Sequence, residues 1–406
     1  MYINAATDPS GPVARKAFIR SVGILSQMLF AALFVLIILV GGPYAVYLTW
    51  QAFLRPTGCP AAKSFETDSV SVVLPTYNEE ALIESKLDEL VGVDYPRDQL
   101  EIIVVDSSTD STADVVRSFA EEQHDVDVRV IEESERRGVA TAVNMGVKTA
   151  EGNVIFRTDC DSRIGQDTIR HAVAALQDPE IGGVMGQQTE VLGDSRVEAD
   201  YRNLQARNQA LESHLDSTFI VHGPCFAFRR GDFVPIHPDS LADDTEVGVN
   251  IRRQGKRVVL DPAMEFTEAG VSDLRARRQR KDRRAMGLIQ MLFRSRDMLG
   301  GYGLYGRIVL PFNWWFMIVA PWLTLALVGV TLAAGFVRFG AAGVALPAAL
   351  AGFIALGQRD ALGPGQPLYA VFDSNISLVI ASIRLLRGGS DGTWEVDTES
   401  REAFEE

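Results

Sequence analysis

Two aspartates one residue apart, at the end of an apolar strand, have the types and spacing best suited to chemistry. Residues 154–157 form a strand-like run, and Asp159 and Asp161 follow it. In a strand, side chains i and i+2 point to the same side, so the two carboxylates can converge on one point if the strand extends that far. Two anionic oxygen ligands suit Mg²⁺ or Mn²⁺ carrying a phosphate. A polar turn after a strand would explain the same residues without a metal.

Two other strand ends carry polar groups that could bind a nucleotide. The first predicted strand ends at Pro75, and Tyr77 and Glu79 follow before a helix. Backbone N–H groups at a helix start can bind phosphate. An ordinary strand–helix turn without a ligand would have the same sequence pattern. The second strand ends at Asp106, whose carboxylate can accept a hydrogen bond from a base. Ser108 or Thr109 could cap the next helix, which would explain this segment without any ligand.

A pair of adjacent carboxylates, Asp243 and Asp244, stands at the start of another predicted helix. Two neighbouring carboxylates repel each other, so one pKa should rise toward a range useful for a general base. Acidic residues at a helix N-terminus also complement the helix dipole without any catalytic role. The pair is therefore a candidate base with a structural alternative.

The elements that must position these residues alternate along the chain. Apolar strand patterns at 70–75, 101–105, 128–131, 154–157 and 183–186 alternate with helical patterns at 79–91, 111–122, 138–150 and 165–177. This alternation predicts an α/β fold with a mostly parallel sheet and helices on both faces. Ligands are then expected at the strand ends. Farther along, a polar exposed helix at 195–216, a strand at 226–229, a helix at 243–254 and a strand at 257–260 are predicted.

Taken together, the motifs resemble those of the family 2 glycosyltransferases, which have the Rossmann-like GT-A fold. The matching segments are, in chain order, Pro-Thr-Tyr-Asn-Glu at 75–79, Asp-Ser-Ser-Thr-Asp at 106–110, Arg-Gly-Val-Ala-Thr-Ala-Val-Asn-Met-Gly at 137–146 and Asp-Cys-Asp at 159–161. The resemblance covers about 70–300 closely. The family's second aspartate is Ser107 here and its usual lysine is Val139. Arg136 or Arg137 would have to supply the missing positive charge.

The resemblance implies roles for individual residues. For the nucleotide-sugar donor it implies Pro75, Tyr77, Glu79, Asp106, Arg137, Asn144, Asp159, Arg283 and Arg284. It implies Asp159 and Asp161 as ligands of Mg²⁺ or Mn²⁺, and Asp244, beside Asp243, as the general base of an inverting enzyme. The block that begins at Gly223 would line the acceptor side, or would be a structural hairpin. His222 beside it could approach the metal or acceptor, or be a hydrogen-bonded structural residue.

The basic segment 275–284 resembles the Gln-x-x-Arg-Trp motif of membrane polysaccharide synthases. Its Arg-Trp pair aligns with Arg283 and Arg284, so the tryptophan is absent, and Arg280 stands where the glutamine is expected. Cations there can hold a departing diphosphate. They can equally contact anionic lipid headgroups, and the two roles are compatible.

Charge and cysteine usage limit the partners and the compartment. The net charge is −14, and only six of the 39 basic residues are lysine. An acidic, lysine-poor surface promotes solubility at high salt, which predicts a salt-adapted (halophilic) source. The acidity also argues against a nucleic-acid partner. Three scattered cysteines form neither a disulfide framework nor a zinc pattern, which favours a reducing compartment.

Apolar segments predict a membrane protein. Residues 23–54, 308–337 and 341–357 are almost free of charge and long enough, or nearly so, to cross a bilayer as helices. We therefore predict a leader at 1–22, an anchor at 23–54, a catalytic domain at 69–296 with an amphipathic end, and a region of two or three spans at 308–387. Residues 366–387 are either an interfacial helix or a short span. An acidic tail, 388–406, follows.

Two groups of basic residues predict opposite orientations. Arg15, Lys16 and Arg20 favour a cytoplasmic N-terminus, which with one span following would put the catalytic domain outside. The arginines at 275–284 and 294–307 favour a cytoplasmic catalytic domain. The supply of nucleotide sugars and the free thiols agree with the second orientation. We therefore predict a multi-pass protein of the cell membrane whose catalytic domain is cytoplasmic.

These features predict a metal-dependent hexosyltransferase that acts with inversion on a lipid-linked, polyprenyl-phosphate or other membrane-associated glycan. A processive polysaccharide synthase of the cellulose or hyaluronan type is the alternative, and three or four spans are few for the tunnel that it needs. A non-catalytic membrane scaffold would explain Ser107 and Val139. The sequence does not specify the oligomeric state.

Overall fold

A computed structural model describes residues 12–192, 196–269 and 274–388. Its helices are α1 (Pro12–Leu54), α2 (Ile83–Val91), α3 (Thr112–Glu122), α4 (Val139–Thr149), α5 (Thr168–Leu176), α6 (Arg196–Leu215), α7 (Asp243–Arg253), α8 (Leu274–Arg294), α9 (Leu310–Trp314), α10 (Ala320–Phe339), α11 (Ala345–Gly357) and α12 (Gln366–Leu386). Its strands are β1 (Val70–Thr76), β2 (Leu100–Asp106), β3 (Asp127–Glu132), β4 (Val154–Arg157), β5 (Ser162–Ile164), β6 (Ile181–Leu192), β7 (Phe226–Arg229) and β8 (Arg257–Ala269). Most of the predicted leader (1–11) and of the acidic tail (389–406) lies outside the described residues.

The strands form one sheet in the order β3-β2-β1-β4-β7-β6-β8-β5. Strands β1 to β4 pair in parallel. Beyond β4 the sheet becomes mixed, because β7 runs antiparallel to both β4 and β6, and β5 runs antiparallel to β8. The α/β prediction is confirmed. The sheet is mixed as a whole, since the parallel βαβ pattern covers only its first half.

Alternation along the central strands builds a core on each face of the sheet. Val72 and Leu74 of β1 pack with Ile83 and Leu87 of α2 on one face. Val73, between them, packs with α4 on the other face. This division follows from the two-residue repeat of a strand, and it confirms helices on both faces.

Three features of the second half differ from the sequence prediction. Strand β5 is only three residues long, too short for a pattern to show. Strands β6 and β8 extend well beyond 183–186 and 257–260, because they pair with each other through polar residues up to Leu192 and Ala269. The helix at 195–216 is not exposed throughout, since Leu211, Glu212 and Ser213 are buried.

Three stretches within the described residues are long and apolar enough to cross a membrane: Arg20–Leu54, Tyr305–Gly357 and Gly363–Leu386. Helix α1 continues without a break from Pro12, so residues 12–22 belong to the same helix as the predicted anchor. Helix α11 has only 13 residues. At 1.5 Å per residue it spans about 20 Å, less than the roughly 30 Å hydrocarbon core, so it does not cross alone.

A buried carboxylate joins the apolar helices to the sheet domain. Glu212 of α6 accepts hydrogen bonds from the Asn313 side chain (2.7 Å), the Phe219 N–H (2.9 Å), the Thr218 hydroxyl (3.2 Å) and the Tyr47 hydroxyl (3.4 Å). Burial raises the pKa of Glu212 to about 7, although these donors oppose the shift. One side chain therefore connects α1 and α9 to α6.

Candidate active site

A cleft of about 770 Å³ opens at the carboxyl edge of β1, β2 and β4. The end of β1 with the loop after it, the end of β4 with the turn after it, the start of α7 and one face of α8 line it. From these elements come Pro75, Tyr77, Glu79, Arg157, Asp159, Asp161, Asp243, Asp244, Arg280, Arg283 and Arg284. Parallel strands end at the same edge of a sheet, so chemically useful residues far apart in sequence meet here.

The loop after β1 is tied to the loop after β2. Asn78 adopts a left-handed conformation (φ 55°). Its N–H donates to the Ser108 hydroxyl (2.7 Å), and its side-chain oxygen accepts from the Thr109 N–H (2.8 Å). The Arg136 guanidinium lies 3.5 Å from the ring centroid of Tyr77. The open side of this loop therefore presents an aromatic ring with a cation stacked on it.

Asp106 lies below this loop rather than on the cleft wall. Its carboxylate is 3 % exposed and accepts hydrogen bonds from the Thr76 hydroxyl (2.7 Å) and from the hydroxyl and N–H of Ser108. The neighbouring Ser107 lines the cleft. The contacts of Asp106 with Thr76 thus join β1 to β2.

Arg157 connects the two acidic halves of the cleft. Its Nη2 lies 3.2 Å from Asp159 Oδ1 and 3.2 Å from Asp243 Oδ2, so the two oxygens are no farther apart than twice that distance. The guanidinium is buried, and it fills the space beside Gly223, where a Cβ would lie 1.2 Å from Nη1. Gly223 is therefore needed here because only a residue without a side chain leaves room for Arg157.

Asp244 is held at the start of α7 by backbone donors. Its Oδ2 accepts from the Gly223 N–H (3.0 Å) and its Oδ1 from the Thr245 N–H (2.6 Å). Burial, followed by the charge of Asp243, raises the pKa of Asp244, while Arg157 opposes the shift. The expected crowding of the acidic pair is present, and burial adds to it.

Asp159 and Asp161 both line the cleft, but β4 ends at Arg157 and the two aspartates lie in the turn after it, so the strand repeat does not extend to them. Burial raises the pKa of Asp159 to about 7; Arg157 opposes the shift, and Asp161, Asp243 and Glu268 add to it. Within the described ranges, no group of three or more histidine, cysteine, aspartate or glutamate side chains could hold a metal ion by itself. The residues present fit a divalent cation only when a ligand such as diphosphate supplies the remaining oxygens.

One face of α8 covers the cleft with arginines. Arg280, Arg283 and Arg284 follow the three- and four-residue spacing of a helix face, and all three line the cleft. Burial lowers the pKa of Arg283 from its ordinary value, and Asp243 opposes that shift. An arginine nevertheless stays protonated, so this wall is cationic.

Ion pairs to α12 hold α8 in this position. Asp373 receives both Arg278 (2.7 Å) and Lys281 (2.7 Å), and Arg384 reaches the buried Asp282 (3.2 Å). Asp373, a charged residue within the otherwise apolar pattern of 366–387, therefore has a structural purpose, because it binds the basic helix.

Besides Asp106 and Gly223, three more predicted site residues are not among those that line the cleft. Asn144 donates to the Ile236 carbonyl and accepts from the Ile236 N–H, both at 2.8 Å. Arg137 pairs with Glu133 (3.1 Å), and His222 bonds Gln209 (2.9 Å). These contacts do not support the predicted donor and acceptor roles, and Arg136 rather than Arg137 lines the cleft.

Sequence reasoning missed Arg157, Glu133 and Glu268, which line the cleft. Arg157 is the last residue of β4, at the strand end where ligands are expected, so that signal was present. Glu133 and Glu268 had no comparable signal, since each follows or ends a strand whose pairing the sequence does not reveal.

Comparison with known proteins gives a consistent result. Residues 71–234 match Glycosyl transferase family 2, and residues 154–356 match Glycosyl transferase family group 2. Mannosyltransferase PcManGT from Pyrobaculum calidifontis, solved with GDP-Man and Mn²⁺, is 29 % identical. Its TM-score is 0.75, and the match covers 88 % of this chain and 99 % of that one.

Two curated bacterial proteins are also similar. The probable glycosyltransferase YdaM of Bacillus subtilis is 28 % identical over 49 % of this chain and 50 % of its own length. Poly-beta-1,6-N-acetyl-D-glucosamine synthase of Staphylococcus aureus is 24 % identical over 58 % of each chain. The chain thus spans little more than half the length of these curated relatives.

Proposed function

The chain belongs to the family 2 glycosyltransferases, and from this premise we propose that it is a membrane-bound, inverting enzyme that transfers a sugar from a nucleotide donor to a lipid-linked or membrane-associated glycan. One observation carries the proposal. A single buried guanidinium contacts both Asp159, on the donor side, and Asp243, beside the candidate base. A donor held at Asp159 would place its sugar beside Asp243.

Donor binding is assigned to the first half of the cleft. Tyr77 and Arg136 offer a stacked surface for a nucleotide. Asp159 and Asp161 would hold Mg²⁺ or Mn²⁺ together with the diphosphate, and the relative solved with GDP-Man and Mn²⁺ supports that assignment. The bound cation would neutralise charge on the diphosphate. Arg283 and Arg284 would stabilise the charge that the departing nucleoside diphosphate acquires.

Asp244 is assigned as the general base. Its carboxylate would take the proton of the acceptor hydroxyl while that oxygen bonds to the anomeric carbon from the face opposite the diphosphate, whose bond to the sugar breaks. The pKa of Asp244 is raised by burial, which makes the carboxylate a stronger base. Base catalysis of this kind contributes about 10²–10⁴ in rate.

The acceptor is proposed to lie at the membrane. Three apolar stretches could cross a bilayer, and α8, which covers the cleft, is ion-paired to α12 in one of them. A cleft so close to lipid suits a polyprenyl-phosphate glycan. The catalytic domain is proposed to be cytoplasmic, because the arginines at 275–284 and 294–307 favour that side; protease digestion of 70–300 on intact cells would contradict this orientation.

A second candidate is a processive polysaccharide synthase. The similarity to a poly-beta-1,6-N-acetyl-D-glucosamine synthase favours it. The absence of a tryptophan beside Arg283, where the synthase motif has one, argues for single transfer. Product length separates the two candidates.

The test is release of nucleoside diphosphate from a panel of nucleotide sugars by the purified full chain, with and without Mn²⁺. Asp244→Asn should bind donor normally but lose turnover by at least about 10², whereas Asp125→Asn, a change of an aspartate whose side chain is 65 % exposed, should match the wild type. A single-sugar product supports the first candidate, and a long product supports the second. Normal turnover of Asp244→Asn would remove that residue from the mechanism.

A further inference from the structure

A fully buried lysine lies behind the acidic turn and outside the cleft. Lys86 of α2 has a side chain with 0 % exposure. Its ammonium donates to the Ser162 carbonyl (2.9 Å) and approaches both carboxylate oxygens of Glu89 (3.3 and 3.4 Å). Taking an ammonium out of water is unfavourable unless it is paired and hydrogen-bonded, so the position of this group is closely constrained by these partners.

The residue that Lys86 contacts closes the Asp159–Asp161 turn. The Ser162 hydroxyl donates to the Asp159 carbonyl (2.7 Å) and lies 3.2 Å from the Thr158 hydroxyl. Ser162 is also the first residue of β5, where it pairs with Glu268 of β8. Holding the Ser162 carbonyl therefore fixes one end of the segment that carries both candidate metal ligands.

A second cation holds the same turn. Arg163 donates to the carbonyls of Cys160 (3.2 Å) and Ser162 (3.0 Å), and also to the Ser85 hydroxyl of α2 (2.9 Å). Glu89 accepts from the Ile164 N–H (2.6 Å), just beyond the turn. One face of α2 thus binds the backbone on the side of the turn away from the cleft.

We propose that Lys86 is a positioning residue that sets the affinity of Asp159 and Asp161 for a divalent cation. It acts through the Ser162 carbonyl and touches neither donor nor metal. The inference rests on the proposed function, in which those two carboxylates hold the cation. Changes in groups that orient metal ligands typically weaken metal affinity by about 10–100-fold.

The test measures Mn²⁺ binding to the detergent-solubilised full chain, with GDP or UDP at saturation, by electron paramagnetic resonance of free Mn²⁺. Lys86→Met keeps an unbranched side chain of similar length but removes the charge and the donors. Lys256→Met is the matched control, because Lys256 also donates to a backbone carbonyl, that of Pro179, but is only half-buried and lies outside the cleft.

Lys86→Met should weaken Mn²⁺ affinity by at least about tenfold, and turnover should recover at high Mn²⁺, while Lys256→Met should match the wild type. If Lys86 has only a structural role, Lys86→Met should have a lower unfolding temperature and unchanged Mn²⁺ affinity. If Lys86→Met does not fold, Mn²⁺ affinity is measured for Arg163→Gln instead. The Arg163 side chain is 24 % exposed and contacts the same Ser162 carbonyl.

Mn²⁺ affinity within twofold of wild type in the folded variant would overturn the inference alone. A wild-type chain that binds nucleotide and turns over without any divalent cation would also overturn it, while the transferase activity stands. A wild-type chain that binds no nucleotide would overturn the proposed function and the inference together.

Discussion

Replacing Gly223 with alanine tests whether the Arg157 guanidinium joins the two acidic halves of the cleft. A Cβ at position 223 would lie 1.2 Å from Nη1 and 2.4 Å from Cζ of Arg157. At these distances the two groups overlap, so the guanidinium at the end of the Arg157 side chain must shift from its place. Its contacts with Asp159 and Asp243, both at 3.2 Å, would then be lost.

The size of the effect follows from burial. Arg157 is 6 % exposed, so water cannot easily replace the lost contacts. Breaking a buried ion pair costs about 3–5 kcal/mol. If about 3 kcal/mol of this falls on the transition state, turnover decreases by about two orders of magnitude. The rest would appear as a lower free energy of unfolding.

Turnover, nucleotide binding and thermal unfolding of Gly223→Ala should be measured beside Gly231→Ala. Gly231 is exposed, and nothing lies within 4 Å of the place that an alanine methyl group would take there, so that control should behave as the wild type. Turnover of Gly223→Ala within threefold of the control would refute the reasoning, because it would mean that the bridging guanidinium is dispensable.

Three further predictions concern proton, core and salt effects. Because the pKa of Asp159 is raised to about 7, a divalent cation must displace a proton below that pH, and Mn²⁺ affinity should rise about tenfold per pH unit up to about pH 7 and then level off; a flat profile would contradict this. Glu212→Gln should lower the free energy of unfolding by about 1–3 kcal/mol, because the amide nitrogen would face the Phe219 N–H or, in the other orientation, the Asn313 amide donor. Since the folded state holds the Glu212 proton up to about pH 7, the Glu212 contribution to wild-type stability should fall as pH rises from about 4.5 to about 7, and the variant should lose that dependence in chemical denaturation. The net charge of −14 predicts loss of folding in low-salt buffer through charge repulsion; circular dichroism that shows full stability there would contradict salt adaptation.

Local patterns predicted much of the site. Asp159 and Asp161 directly follow a predicted strand, where ligands are expected, and both line the cleft. The position of Asp244 at a helix start and the helical spacing of Arg280, Arg283 and Arg284 are equally local, and these residues line the same cleft. Such features depend only on neighbours along the chain, so the sequence carries them.

Roles that depend on distant partners were not predictable in this way. Asn144 follows the expected motif, yet its amide is used by Ile236, 92 residues away. His222 bonds Gln209. Gln209 belongs to α6, which its polar composition predicts to be exposed. A motif identifies a residue type at a position. Which partner the side chain contacts depends on the element that packs against it.

The sequence by itself determined the α/β class, the apolar helices and the order of the acidic motifs, because periodicity and charge are properties of short segments. Only the tertiary structure decided that β7 lies antiparallel beside β4, which brings Gly223 next to Arg157 and the acidic start of α7 next to the end of β4. Strand order depends on contacts between segments some 70 residues apart. No local pattern encodes those contacts, and the buried guanidinium that joins Asp159 to Asp243 exists only once they form.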